Sequence, residues 1–397
     1  MKTLYIFTTL LLGLFWPSKS IYPISADPGR DSLHAPLRIQ IPFVLPPPTF
    51  DDEFVCQKRN IIHQYYKKHM ANVGFSGGFI VAKNGVVLYE DYQGFSDMGK
   101  QQAINSKTAL HLASISKVFT ATAVLRLVQS QKITLDQAVV DILPEFPYAD
   151  ITVRQLLNHR SGLPQYSSFS ACLKRNWNRK KTLTNQDILQ LLSNHKIRRA
   201  FLPDQAFRYC NTNYVIAALI VEKITQQPFP EALKQLVFDP LEMKQTFVFD
   251  YHCQRDSVSR SFRGKRAFGW DQFDALYGDK NVYSTPRDLV KYDLATYSPE
   301  FISAELWEEA FKGYSPNRWQ KNYGLGIRMH EWPNGQKLHY HNGWWHGSKT
   351  SYLSLKKDSV SIIALGNNNS NRPYLTLKLA GFFGDYPVGS EKLDIIE

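Results

Sequence analysis

Ser114, Ile115, Ser116 and Lys117 set a hydroxyl and an amine three positions apart. On a helix such residues share a face, so the two side chains are neighbours. A lysine held away from water loses its charge readily and can then accept the serine proton. If Ser114 opens the helix, backbone N–H groups there can receive a developing oxyanion. The same spacing recurs at Ser193 to Lys196 and at Ser354 to Lys357, so context has to separate the copies. Ser354 falls at a strand-to-turn junction and Ser193 ends a helical pattern among polar residues. Ser114 begins a long buried run after Leu110-His111-Leu112-Ala113. On this motif alone, a helix-capping serine remains an open alternative.

Tyr209-Cys210-Asn211 is the second candidate. Two apart on an extended loop, the Tyr and Asn side chains point the same way. A phenol near a cationic lysine ionises more easily and can relay a proton to a leaving group. Asn211 can hold a substrate amide or the lysine. A helix-entry loop with a buried tyrosine is the plainer alternative. The third candidate is His341-Asn342-Gly343 at a strand end, where a residue without a side chain lets a substrate backbone approach and pair. Alone, it also fits a strand-end turn with an exposed histidine.

The elements that must position these groups follow from periodicity. Apolar residues at helical spacing predict a helix over Phe54 to Met70. Gly78 to Ala82 and Val86 to Tyr89 flank Lys83-Asn84-Gly85, a hairpin signal. Val118 to Val128 reads as a buried helix, and Leu135 to Leu143, Ile188 to Leu192 and Asn213 to Ile224 as further helices. Lys337 to His341, Lys349 to Ser354 and Ser359 to Leu365 read as successive antiparallel strands, and Tyr374 to Phe383 as a closing helix. Two strands near the start and three near the end bracket a helical interior. The expected class is α/β (α+β): an antiparallel sheet flanked by helices, with an inserted, mostly helical domain. The α/β part falls at about 51–113 and 325–397 and the helical part at about 114–324.

In this order, Ser-x-x-Lys, Tyr-x-Asn and a His-x-Gly strand resemble the signature of the serine β-lactamase and penicillin-binding-protein superfamily. The resemblance is closest to its class C-like branch of esterases, D-amino-acid peptidases and DD-carboxypeptidases. It spans about Phe75 to Asn367. Leu156-Leu157-Asn158-His159-Arg160-Ser161-Gly162-Leu163-Pro164 and Tyr283-Ser284-Thr285-Pro286-Arg287-Asp288-Leu289 look like two further family segments. The resemblance implies an acyl-enzyme on Ser114, Lys117 assisting its deprotonation, and Tyr209 as general base and acid. It implies that Asn211 positions Lys117 and substrate, and that the N–H groups of Ser114 and Trp344 form the oxyanion hole. His341 takes the place of the Lys in the Lys-Thr-Gly version of the strand. A histidine is largely neutral near pH 7 and offers a substrate carboxylate less than a lysine would. Trp344 and Trp345 are expected to make a bulky aromatic rim beside Gly343. An ester or D-amino-acid peptide, peptidoglycan-derived peptides included, then fits better than a β-lactam. No cofactor is implied. A catalytically silent, cell-wall-fragment-sensing protein of the same fold is the alternative function.

His339, His341 and His346 define a rival, a zinc hydrolase, but no carboxylate ligand lies close by in sequence. The chain has 397 residues, 43% of them hydrophobic, and a net charge of +12. Lys174, Arg175, Arg179, Lys180 and Lys181 make its densest basic run, which reads as a solvated surface and not as a nucleic-acid site. Lys2 followed by an uncharged Leu4 to Trp16 reads as a signal peptide, cleaved near residue 20 or as late as 26. That run is too short for a lasting membrane span. The Pro-rich 21–50 reads as a linker. A bacterial periplasmic or secreted location is expected, where Cys56, Cys172, Cys210 and Cys253 could pair or stay as buried thiols. Oligomeric state is not legible.

Overall fold

The structure, a computed structural model, describes residues 36–43, 50–169, 182–195 and 197–389. The signal segment, the basic run and Cys172 lie outside the described residues. So does Lys196, which completes one copy of the Ser-x-x-Lys spacing. Among the described residues no helix is long and apolar enough to cross a membrane, and Cys56, Cys210 and Cys253 are free thiols.

Helix α1 (Asp52–His69) starts where Asp51 accepts a hydrogen bond from the Phe54 N–H, satisfying one of the orphan donors of the first turn. It leads into the hairpin β1 (Gly77–Lys83) and β2 (Val86–Gln93) around Asn84-Gly85, both at positive φ. The other sheet strands come from the end of the chain. They are β3 (Lys321–Tyr323), β4 (Arg328–Glu331), β5 (Lys337–Trp345), β6 (Ser348–Leu355) and β7 (Val360–Gly366). Together they form one sheet in the order β3-β4-β5-β6-β7-β1-β2, every neighbour antiparallel.

Side-chain alternation gives this sheet two buried faces. Phe79, Val81, Ile362 and Ala364 pack on Ile62 and Tyr66 of α1 and on Leu379 of a C-terminal 3₁₀ segment, Arg372–Phe382. Ile80, Ala82, Ile363 and Leu365 face the larger core, which holds α2 (Ser116–Gln129), α3 (Asn185–His195), α4 (Asn211–Thr225) and α5 (Pro286–Ala295). In α4 every residue from Thr212 to Val221 is buried. A helix apolar on all sides has to run through the middle of the helical part.

Three expectations are corrected. Leu135 to Leu143 is not a helix; only Val139–Ile142 turns, because Ala138 is extended and bridges Thr152. The closing helix is 3₁₀ rather than α. Part of the Pro-rich stretch is not a free spacer. Ile39 donates to the Gly85 carbonyl and Val87 to that of Leu37, so residues 37–39 cover the exposed edge at β2.

Candidate active site

Ser114 lies in a 3₁₀ turn, Ala113–Ile115, that runs straight into α2. Lys117, one residue into α2, is fully buried. Its Nζ donates to Ser114 Oγ at 3.1 Å and to the Asp279 carbonyl at 2.7 Å. The i, i+3 geometry thus brings the hydroxyl and amine together as the sequence predicts. Ala113 has φ +51°, a left-handed conformation that costs a residue with a Cβ roughly 1–2 kcal/mol. Four hydrogen bonds hold the turn against that strain. Leu112 N–H donates to the Val282 carbonyl, Thr350 Oγ1 to the Leu112 carbonyl, Ala113 N–H to His111 Nδ1, and Val282 N–H to Ser116 Oγ.

The Tyr209-Cys210-Asn211 segment is clamped by Gln165. Its Nε2 donates to the Tyr209 carbonyl at 3.0 Å and its Oε1 accepts from the Asn211 N–H at 2.9 Å. Cys210 caps α4 in an extended conformation, and Asn211 is already the first helical residue instead of part of a loop. Lys117 Nζ sits 5.1 Å from the Tyr209 ring centroid. The Tyr209 hydroxyl and Asn211 Oδ1 are both buried without a hydrogen-bond partner. Buried polar groups rarely stay unpaired, so these two stand ready for a ligand's polar atoms. Asn211 makes no hydrogen bond to Lys117, whose bonds go to Ser114 and Asp279.

Behind Tyr209 runs a directed chain of buried side chains. His159 Nδ1 accepts from the Cys210 N–H and lies 3.1 Å from Asn213 Nδ2, so its proton sits on Nε2. That Nε2–H donates to the Tyr323 hydroxyl at 3.2 Å, and the hydroxyl donates to His341 Nε2, also at 3.2 Å. His341 carries its own proton on Nδ1 and gives it to the Asn342 carbonyl. Burial first, then Arg328 and Lys117, hold His341 well below the ordinary imidazole range; burial, Lys117 and Arg328 do the same for His159. His341 is therefore neutral with both nitrogens engaged. It supports Tyr323 rather than presenting a nitrogen to substrate.

Gly343 has no room for a side chain. A Cβ there would lie 2.2 Å from Thr350 Oγ1, 2.3 Å from the Leu112 carbonyl and 3.1 Å from Ala113 Cβ. The strand end is pressed onto the Ala113–Ile115 turn, with Trp344 next in line. Trp344 is 52% exposed and does form a rim. Trp345 beside it is half-buried, its Nε1 donating to Asp274 Oδ1 at 2.6 Å and Lys280 Nζ lying 4.6 Å from its ring centroid. The histidine trio of the zinc reading is dispersed. His339 lies against Phe311, His341 against Tyr323 and His346 on Asp274. The group among the described residues whose donor atoms approach within 4.8 Å of one another is Asp271, Asp274 and His346.

Sequence reasoning missed Arg328, whose guanidinium lies 4.7 Å from the Tyr209 ring centroid. It also missed the Asp279 carbonyl, Gln165 and Tyr323. An aromatic at the end of one short strand, Tyr323, and a cation at the start of the next, Arg328, were the available signals, but their partners lie far along the chain.

The fold and the site together define a class, a serine hydrolase with a Ser-x-x-Lys turn of the penicillin-binding and β-lactamase type. The chain belongs to the Beta-lactamase family, which it matches over residues 62–378. It is 29% identical over 319 residues to Penicillin-binding protein 4* of Bacillus subtilis (strain 168), covering 76% of this chain and 70% of that protein. It is 24% identical over 308 residues to a D-aminopeptidase of Cereibacter sphaeroides (strain ATCC 17029 / ATH 2.4.9), covering 73% of this chain and 56% of the relative. It thus spans little more than half of that enzyme's length. A penicillin binding protein from Bacillus halodurans has the same fold, with a TM-score of 0.70 at 20% identity over 82% of this chain and 99% of the other.

Proposed function

We propose that this enzyme hydrolyses a small ester, D-amino-acid amide or cell-wall-related peptide through an acyl-enzyme on Ser114, in the bacterial periplasm or outside the cell. The observation that carries the reading is Lys117 Nζ at 3.1 Å from Ser114 Oγ and 5.1 Å from the ring centroid of Tyr209, whose buried hydroxyl has no partner. Ser114 Oγ attacks the substrate carbonyl. Its proton is held between Lys117 Nζ and the Tyr209 oxygen and passes to the leaving nitrogen or oxygen as the carbonyl bond breaks. Water then attacks the acyl carbon and its proton passes by the same route to Ser114 Oγ as the ester bond breaks, which releases the acid and restores the serine. The N–H groups of Ser114 and Trp344 stabilise the oxyanion in both steps. Asn211 Oδ1 takes a donor from the substrate.

With His341 neutral, the strand supplies no charge. Arg328 does, from beside Tyr209, where the leaving group departs. A leaving group with a free carboxylate, as in the last residue of a peptide, suits that cation. The test is a hydrolysis panel of p-nitrophenyl esters, D-alanyl peptides with free or amidated C-termini, and nitrocefin, run on the wild type and on Arg328→Gln. The free-acid peptides are expected to lose about 10- to 100-fold in kcat/KM in the variant, the scale of one charge-assisted hydrogen bond. Ester turnover should stay close to wild type. Equal losses on free and amidated peptides would remove Arg328 from substrate recognition.

A further inference from the structure

One buried imidazole outside the proposed chemistry touches the nucleophile turn directly. His111, 6% exposed, accepts the Ala113 N–H on Nδ1 at 3.1 Å. Nδ1 can accept only if the proton is on Nε2, and Nε2 lies 3.0 Å from Asn281 Oδ1. The Asn281 amide cannot turn the other way, because its Nδ2 donates to the carbonyls of Asp274 at 2.7 Å and Leu276 at 2.8 Å. Each group fixes the orientation of the next, from the Asp274 and Leu276 carbonyls through Asn281 and His111 to Ala113. Ala113 is the residue held at positive φ immediately before Ser114. His341, at the other side of the site, has the opposite tautomer.

We infer that His111 is a positioning residue. As the Nε2–H tautomer it clamps the Ala113 N–H, holds the left-handed turn, and so aims the Ser114 hydroxyl and N–H at the substrate carbonyl. The inference rests on Ser114 being the nucleophile. The Tyr283 ring packs edge-on against the imidazole at 5.0 Å. Asp274, His346 and Lys280 are the charged or titratable groups acting on it, and Arg260 lines the same small pocket. Burial dominates among these influences and holds the His111 pKa down at about 4. The acceptor on Nδ1 is thus available at neutral pH. A protonated ring would instead oppose the Ala113 N–H with a second N–H.

The test compares His111→Asn, whose Oδ1 can reach the Ala113 N–H, with His111→Leu, which fills the space without an acceptor. Both are assayed on a p-nitrophenyl ester beside Ser114→Ala, with rates normalised to the folded fraction. His111→Leu is expected to lose at least tenfold in kcat with KM within about twofold, and His111→Asn to recover most of that loss. Equal losses in the two variants, or a loss carried by KM, overturn the inference. So does His111→Leu at full rate. Residual activity in Ser114→Ala instead sinks the nucleophile assignment, which separates the two failures. If His111→Leu does not fold, the histidine ¹⁵N spectrum of the wild type decides. His111 as the Nε2–H tautomer, neutral down to about pH 5, supports the clamp, and an Nδ1–H signal or titration near the ordinary pKa overturns it.

Discussion

Gly343→Ala places a methyl group where the strand end and the Ala113–Ile115 turn already touch. The added Cβ would lie 2.2 Å from Thr350 Oγ1 and 2.3 Å from the Leu112 carbonyl. Ordinary carbon contacts are about 3.5–4.0 Å between carbons, so one of these neighbours must retreat by roughly an ångström. Thr350 cannot rotate away freely, since its hydroxyl donates to that same Leu112 carbonyl. The Leu112 carbonyl is backbone, two residues before Ser114. The displacement therefore falls on the gap between β5 and the nucleophile turn, where the two oxyanion donors are proposed to meet. Overpacking of this kind costs about 1–3 kcal/mol of stability. Misplacing a catalytic group by 1 Å can cost about 10²-fold, and losing one oxyanion donor costs about 10²–10³-fold in kcat. Steady-state turnover of a p-nitrophenyl ester and urea denaturation of the same variant measure the two effects. Gly269→Ala is the control, because a Cβ there meets nothing within 4 Å. Wild-type kcat in Gly343→Ala would refute the placement of the oxyanion hole against this strand.

Tyr323→Phe should leave the His159 Nε2–H and His341 Nε2 unpaired in the interior. A destabilisation of about 2–4 kcal/mol is expected in denaturant titration, and under 0.5 kcal/mol would break the directed chain. Lys280 is buried against Asp279 at 3.5 Å and donates to the Tyr166 hydroxyl at 3.0 Å. Lys280→Met should cost about 3–5 kcal/mol by stranding the Asp279 charge, and the double variant with Asp279→Asn should restore most of it. His111, His159, His339 and His341 all have pKa values lowered by burial. The unfolded chain binds protons at these positions below about pH 6.5 and the folded chain does not, so stability must fall as pH drops. The loss is up to about 1.4 kcal/mol per pH unit for each histidine, and for His111 it levels off near its folded value of about 4. Urea midpoints from pH 7 to pH 4.5 check this, and a flat profile would contradict the neutral buried histidines.

What the sequence made legible depended on how local the signal was. Ser114 and Lys117 meet because a helix enforces the spacing, and β5, β6 and β7 are joined by short turns that alternation reveals. The strands β3 and β4 are three and four residues long and flank Gly324-Leu325-Gly326, too brief for a period of two to register. The apolar residues from Leu135 to Leu143 reach the core from an irregular segment pinned to Thr152 and Ile151, so helical spacing there misled. Tyr323 stands out by nothing in the sequence, and the motifs that hold His159 and His341 say nothing of one another. Their directed chain comes from contacts across 164 and 18 residues, which no local pattern carries. Trp345 was expected on the rim because it adjoins Trp344. It is half-buried, held on its inner side by Asp274 and Lys280, partners roughly seventy residues away along the chain.

The central claim is a covalent intermediate on Ser114, and intact-protein mass spectrometry tests it most directly. Incubation with a p-nitrophenyl alkylphosphonate should add one phosphonyl group per chain and release one p-nitrophenolate. Peptide mapping should place the adduct on Ser114, and Ser114→Ala should remain unlabelled while melting as the wild type does. Labelling on another residue, or full esterase activity in a wild type that takes up no phosphonate, would contradict the account.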